Sequence, residues 1–142
     1  MTSARHAINA YVKTEIDTGV SEADSHKLVV MLFDGALSAV ADARLKLQRG
    51  DIPGRGHSIS KAIAIIDEGL RASLDHKQGG EIAGKLEDLY RYMCARLLHA
   101  NLRSDVDALD EVTDLLGELE MGWKGIGRGQ PPVQAAAHEA RV

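Results

Sequence analysis

The stretch KLVVMLFDGALSAV, residues 27–40, decides the fold because it places an Asp-Gly pair, Asp34-Gly35, inside a dense apolar run. Asp-Gly between two apolar segments is a common β-hairpin turn. A hairpin requires apolar and polar residues to alternate on both sides, whereas ALSAVADARLKL, residues 36–47, repeats its apolar residues at spacings of three and four. This spacing crosses the Asp-Gly pair without a change of phase. We therefore predict one straight helix from Ser25 to Gln48.

Composition favours helices throughout the chain. The 142 residues are 44% hydrophobic and only 4% aromatic, which is typical of one domain packed through Leu, Ala and Ile. A formal net charge of −4 argues against general nucleic-acid binding, which needs a concentrated basic face. The single cysteine, Cys94, excludes an internal disulfide, and no segment has the apolar length of a signal peptide or membrane span. We expect a soluble, cytoplasmic protein.

Three further amphipathic segments follow the first helix. Their apolar residues recur at helical spacing over residues Ser58–Asp75, Glu81–Asn101 and Ser104–Ile126. The short connection HKQGG, residues 76–80, requires antiparallel neighbours. The fold predicted for residues 24–126 is an all-α antiparallel four-helix bundle.

Local signals place the ends of these helices. Asp24 can cap the first helix, and Gly50 followed by Pro53 can end it. Ser104 can cap the fourth helix, with Asp107 three positions on.

Both ends of the chain differ from the predicted bundle. Residues 1–23 contain a short apolar face that includes Ile8 and Tyr11, which predicts a short helical segment able to cap the bundle. Residues 127–142 combine Gly and Pro with little apolar periodicity, which predicts a disordered tail.

Enzyme chemistry is not visible in the sequence. No Glu-x-x-His pair is present for a di-iron site, and there is no phosphate-binding glycine loop or zinc ligand set, so we expect no metal or other cofactor. The stretch HSISKA, residues 57–62, resembles the phosphorylated site of histidine phosphotransfer bundles, which leaves phosphotransfer through His57 as an alternative function. Cys94 fits a packing residue better than a nucleophile because no cationic neighbour is fixed nearby.

Two of the predicted helices carry more apolar surface than one core contact needs. This surplus lies beside the main apolar stripe of the first and third helices, at Val29, Val30, Phe33, Leu37, Tyr90, Cys94 and Leu98. Either these helices are central in the bundle and buried on several sides, or the surplus forms a groove for a partner helix. The pattern alone leaves both interpretations open.

Three stretches together resemble one protein family. They are LVVMLFDGAL (28–37), SLDHKQGGEIAGKLEDLYRYMCARLLHAN (73–101) and LDEVTDLLGELEMGW (109–123). They are similar, in the same order, to the signature blocks of the FliS-type flagellin export chaperones, and the resemblance covers residues 10–126.

This resemblance implies a cytosolic chaperone without catalytic activity. It would bind the C-terminal segment of flagellin 1:1, prevent its premature polymerisation and deliver it to the flagellar export apparatus, as a monomer or weak homodimer. An N-terminal segment with Ala10-Tyr11 would lie over the same groove until flagellin displaces it. A generic adaptor bundle with another partner stays open from the residues alone. The residues expected to contact flagellin or mask its groove are Ile8, Tyr11, Leu32, Phe33, Leu89, Tyr90, Met93 and Leu97.

Overall fold

The structure is a computed structural model that describes residues 22–126, and within this range the chain folds into four helices. Helix α1 packs against α2 and α4, and α3 packs against the same two helices, which closes the bundle. The all-α four-helix prediction is confirmed. The predicted N-terminal segment with Ile8 and Tyr11, and the predicted tail from residue 127, lie outside the described residues. The helices are α1 (Glu22–Arg49), α2 (Ile52–Ala64, continued by a π-helical stretch at Ile65–Leu70), α3 (His76–Arg103) and α4 (Val106–Gly125).

Helix α1 runs straight through Asp34-Gly35, as its apolar spacing predicts. A Cβ at Gly35 would lie 3.4 Å from Cδ1 of Ile65, which is an ordinary van der Waals contact, so Ile65 packs directly over this glycine. Phe33 and Ala36, on either side of the pair, are fully buried.

The starts of α1 and α2 differ from the predicted positions. Asp24 lies inside α1, which begins at Glu22, so the predicted cap at Asp24 is wrong. Helix α2 begins at Ile52 rather than Ser58, because the Asp51 carboxylate accepts a hydrogen bond of 3.0 Å from the Gly54 amide. Pro53 lies in the first turn of α2, where a backbone N–H would have no partner within the helix, so its missing N–H costs no hydrogen bond.

The ends of α3 also differ from the predictions. Residues 76–80 form a helical turn capped by Asp75 rather than an open loop, and the helix bends at Gly80, whose φ is 51°. Ser104 ends α3 in a left-handed conformation, and Asp105 caps α4 by accepting the amides of Asp107 and Ala108. The predicted cap at Ser104 is therefore wrong by one residue.

A buried arginine joins the start of α2 to the end of α3. Arg55 is 7% exposed, and its guanidinium donates to the side chain and the carbonyl of Asn101 and to the Ser104 hydroxyl, over 2.8–3.1 Å. The Asn101 carbonyl lies in the last turn of α3, where no intrahelical amide is left to pair with it. Arg55 thus satisfies the end of one helix from the beginning of another.

Candidate functional site

An apolar cleft lies at the end of the bundle where α1 begins and α4 ends. It encloses about 40 Å³. All four helices contribute residues to its lining, and so does the turn that follows the π-helical stretch. The cleft is lined by Val29, Phe33, Leu70, Ser73, Leu74, Leu86, Tyr90, Leu119 and Trp123, and we call it the Trp123 cleft.

A reciprocal pair fixes Trp123 in the wall of this cleft. The indole stacks on the His26 ring with centroids 5.4 Å apart and planes 7° from parallel. The indole Nε1 donates to the His26 carbonyl over 3.2 Å, and the His26 Nε2 lies 2.6 Å from the Trp123 carbonyl. Because a carbonyl oxygen only accepts, that Nε2 carries the proton. The first turns of α1 and the last turn of α4 are therefore locked together beside the cleft.

The π-helical stretch shapes the opposite wall. Its wider turn bonds the Arg71 amide to the Ile66 carbonyl, five residues back, over 2.8 Å. Leu70 ends this stretch, and Ser73 and Leu74 follow it on the way to α3. Single π-helical turns often occur at functional sites.

Two carboxyl groups face each other next to the cleft. Glu120 on α4 is 9% exposed, its Oε2 is buried without a hydrogen-bond partner in the described residues, and the Asp34 carboxyl on α1 lies close enough to influence its pKa. Burial and this facing carboxyl raise the pKa of Glu120, although Lys124 Nζ lies 3.6 Å from its Oε2. Glu120 is thus protonated at higher pH than an exposed glutamate.

The expected contact residues fall into two groups. Phe33 and Tyr90 line the Trp123 cleft. Leu32, Met93 and Leu97 are buried in the core, with Met93 and Leu97 completely enclosed, and Leu89 packs partly buried against it. Ile8 and Tyr11 lie outside the described residues.

Other cleft residues escaped the sequence analysis as binding residues. Regular helical spacing does not distinguish cleft residues from core residues, and this applies to Trp123, Leu74 and Leu119. Val29 carried a usable signal, since it lies off the main stripe of α1 together with Phe33. Ser73 carried none, because it is a single small polar residue after a helix.

The candidate chemical groups lie elsewhere. Burial raises the pKa of the Cys94 thiol to about 11, so it is protonated at neutral pH and a poor nucleophile. His57 is exposed on α2, well inside the helix rather than at its start. Within residues 22–126 no group of three His, Cys, Asp or Glu side chains is placed to hold a metal ion. Among the helices of the same range, none combines the length and apolarity needed to cross a membrane.

Comparison with known proteins gives a consistent result. Residues 7–130 match the sequence profile of the family described as flagellar protein FliS. The chain is 50% identical over 119 residues to the flagellar secretion chaperone FliS of Salmonella typhimurium, covering 84% of this chain and 88% of that protein. It is 46% identical over 123 residues to the flagellar secretion chaperone FliSB of Pseudomonas aeruginosa (87% and 97%). It is 45% identical over 121 residues to FliS of Escherichia coli (85% and 89%).

Proposed function

The chain belongs to the FliS family, and we propose that it is a cytosolic export chaperone that binds the C-terminal segment of flagellin and delivers it to the flagellar export apparatus. The observation that carries this proposal is the 50% identity to a flagellar secretion chaperone over 84% of the chain. The Trp123 cleft supplies a surface suited to the task. No catalytic step is part of the proposal, which sets aside phosphotransfer through His57.

The cleft suits one anchoring side chain of an amphipathic helix. Its 40 Å³ exceeds the roughly 10–15 Å³ of such space that one water needs, so it admits the tip of a side chain and not a whole helix. Its lining is mostly Leu, Val and aromatic rings. A flagellin helix would place an apolar anchor here and lay its remaining apolar face along the bundle. Covering that face prevents flagellin subunits from associating before export.

The predicted contact residues enter this proposal at different depths. Phe33 and Tyr90 form the wall that flagellin touches first. Met93 and Leu97 are fully enclosed, so flagellin reaches them only if neighbouring helices part on binding, whereas Leu32 keeps 8% of its surface exposed. Leu89 is partly buried at the margin of the core. We keep all of these as proposed contacts of the bound state.

The N-terminal segment is the proposed occupant of the cleft when flagellin is absent. Helix α1 begins at Glu22, about two turns before the cleft residue Val29, so the start of α1 lies at the same end of the bundle as the cleft. Ile8 and Tyr11 would supply the apolar side chains. Flagellin would displace them, and the two occupants would compete for one surface.

Size-exclusion chromatography with light scattering tests the function on the full chain mixed with a flagellin C-terminal peptide. A 1:1 complex is expected, with far-ultraviolet circular dichroism exceeding the sum of the separate components because the peptide folds on binding. The scrambled peptide is the control. Two separate peaks and an additive dichroism spectrum would rule out the proposed function.

A further inference from the structure

The polar groups that line the Trp123 cleft are few, and two of the three are already occupied. The Ser73 hydroxyl donates to the Leu70 carbonyl over 2.8 Å. The Trp123 indole N–H donates to the His26 carbonyl over 3.2 Å. The Tyr90 hydroxyl has no hydrogen-bond partner within residues 22–126. The remaining lining residues are apolar.

Packing in the core fixes the orientation of the Tyr90 side chain. The residue is only 5% exposed and belongs to the hydrophobic core cluster. Burial raises the pKa of its phenol well above the ordinary value of 10.0, so the hydroxyl stays neutral and can both donate and accept. The hydroxyl is not one of the described buried polar atoms that lack both solvent and a hydrogen-bond partner, so it reaches solvent through the cleft. An occupant that excludes this solvent loses free energy unless it supplies a hydrogen bond in its place. An occupant that brings a partner for it gains affinity.

We propose that the Tyr90 hydroxyl determines specificity in the Trp123 cleft by hydrogen-bonding an uncharged polar side chain of the bound segment. This inference rests on the proposed function. The amides and carbonyls of a bound helix are already paired within that helix, which leaves a side chain as the partner. A carboxylate or ammonium group is disfavoured because the apolar lining does not compensate its lost hydration. The cleft therefore selects an amphipathic helix with Ser, Thr, Asn or Gln beside its apolar anchor.

The substitution Tyr90→Phe tests the hydroxyl while keeping the ring. We expect unchanged or slightly higher resistance to urea, because the removed group has no partner within the described protein. The dissociation constant for a flagellin C-terminal peptide, measured by calorimetry, should rise about 3- to 10-fold, as expected for one neutral hydrogen bond. Tyr92→Phe is the matched control: Tyr92 is on the same helix, 45% exposed, and donates to Glu111 over 2.7 Å. It should leave the affinity unchanged.

A double-mutant cycle connects the effect to one atom pair. Each Ser, Thr, Asn and Gln of the peptide is replaced in turn by Ala and measured against wild type and Tyr90→Phe. One replacement should weaken binding to wild type but not to Tyr90→Phe. If every replacement weakens both proteins equally, or if Tyr90→Phe binds as tightly as wild type, the inference is overturned while the chaperone function stands. If wild type itself does not bind the peptide, the proposed function fails and the inference with it.

Discussion

Leu97 and Leu98 are neighbours on α3, and substituting each in turn distinguishes the effect of core packing from that of the surface. Leu97 is fully buried in the core, whereas Leu98 is 54% exposed. Leu97→Ala removes buried methyl and methylene groups and leaves a cavity, which typically costs about 2–5 kcal/mol. Leu98→Ala loses only part of that burial and should cost below about 1 kcal/mol.

The size of this contrast follows from the burial. With a midpoint cost of about 3.5 kcal/mol, Leu97→Ala should lower the melting temperature by roughly 14 °C, since each kcal/mol shifts a domain of this size by about 4 °C. Leu98→Ala should lower it by no more than about 4 °C. Urea unfolding followed by far-ultraviolet circular dichroism gives both free energies on the same scale.

The same pair decides whether Leu97 belongs to the core or to the flagellin contact surface in the free protein. Equal losses of stability for the two variants would refute the packing described for α3. So would a Leu97→Ala protein that keeps its full stability and loses flagellin binding, since that behaviour belongs to an accessible contact residue. A stability loss confined to Leu97 supports the enclosed position.

Two further changes probe the polar contacts of the fold. Arg55→Ala should lower the free energy of unfolding by about 1–3 kcal/mol, because Asn101 and Ser104 lose a charged donor at a buried helix end; urea unfolding measures this, and a loss below about 0.5 kcal/mol would contradict it. Burial and the facing Asp34 raise the pKa of Glu120 above its ordinary 4.5, so the stability that its proton gives is present at acid pH and is lost as pH rises through the folded-state pKa. Glu120→Gln, uncharged at every pH, should therefore gain stability relative to wild type as pH rises above 4.5 in urea titrations, and a difference that stays constant would contradict this.

Much of the fold was predictable because the buried positions of a helix recur in the sequence as apolar residues three or four apart. The unbroken spacing across Asp34-Gly35 predicted a straight α1, and the helix is continuous from Glu22 to Arg49. Helix ends were less predictable, since two adjacent residues that can both cap, such as Ser104 and Asp105, differ only in backbone conformation.

The candidate site was only partly predictable. The surplus apolar residues contained Phe33 and Tyr90, which line the cleft, but also Leu98, which does not line it and is 54% exposed. Met93 and Leu97, which were expected to contact flagellin, are fully enclosed. Spacing on one helix does not reveal how many other helices surround it. The role of Trp123 depends on His26, 97 positions away in the chain, and no local pattern reports that pairing.

The measurement that tests the central claim most directly compares flagellin binding by two Leu→Glu variants. Leu74 lines the Trp123 cleft, and Leu102 is 81% exposed and does not line it. Both changes replace a leucine with a negatively charged glutamate. If the cleft receives the flagellin C-terminal segment, Leu74→Glu should weaken peptide binding at least about 10-fold, because a carboxylate is desolvated on binding, while Leu102→Glu binds like wild type. Equal affinities for Leu74→Glu and wild type, with both proteins folded by circular dichroism, would contradict the account.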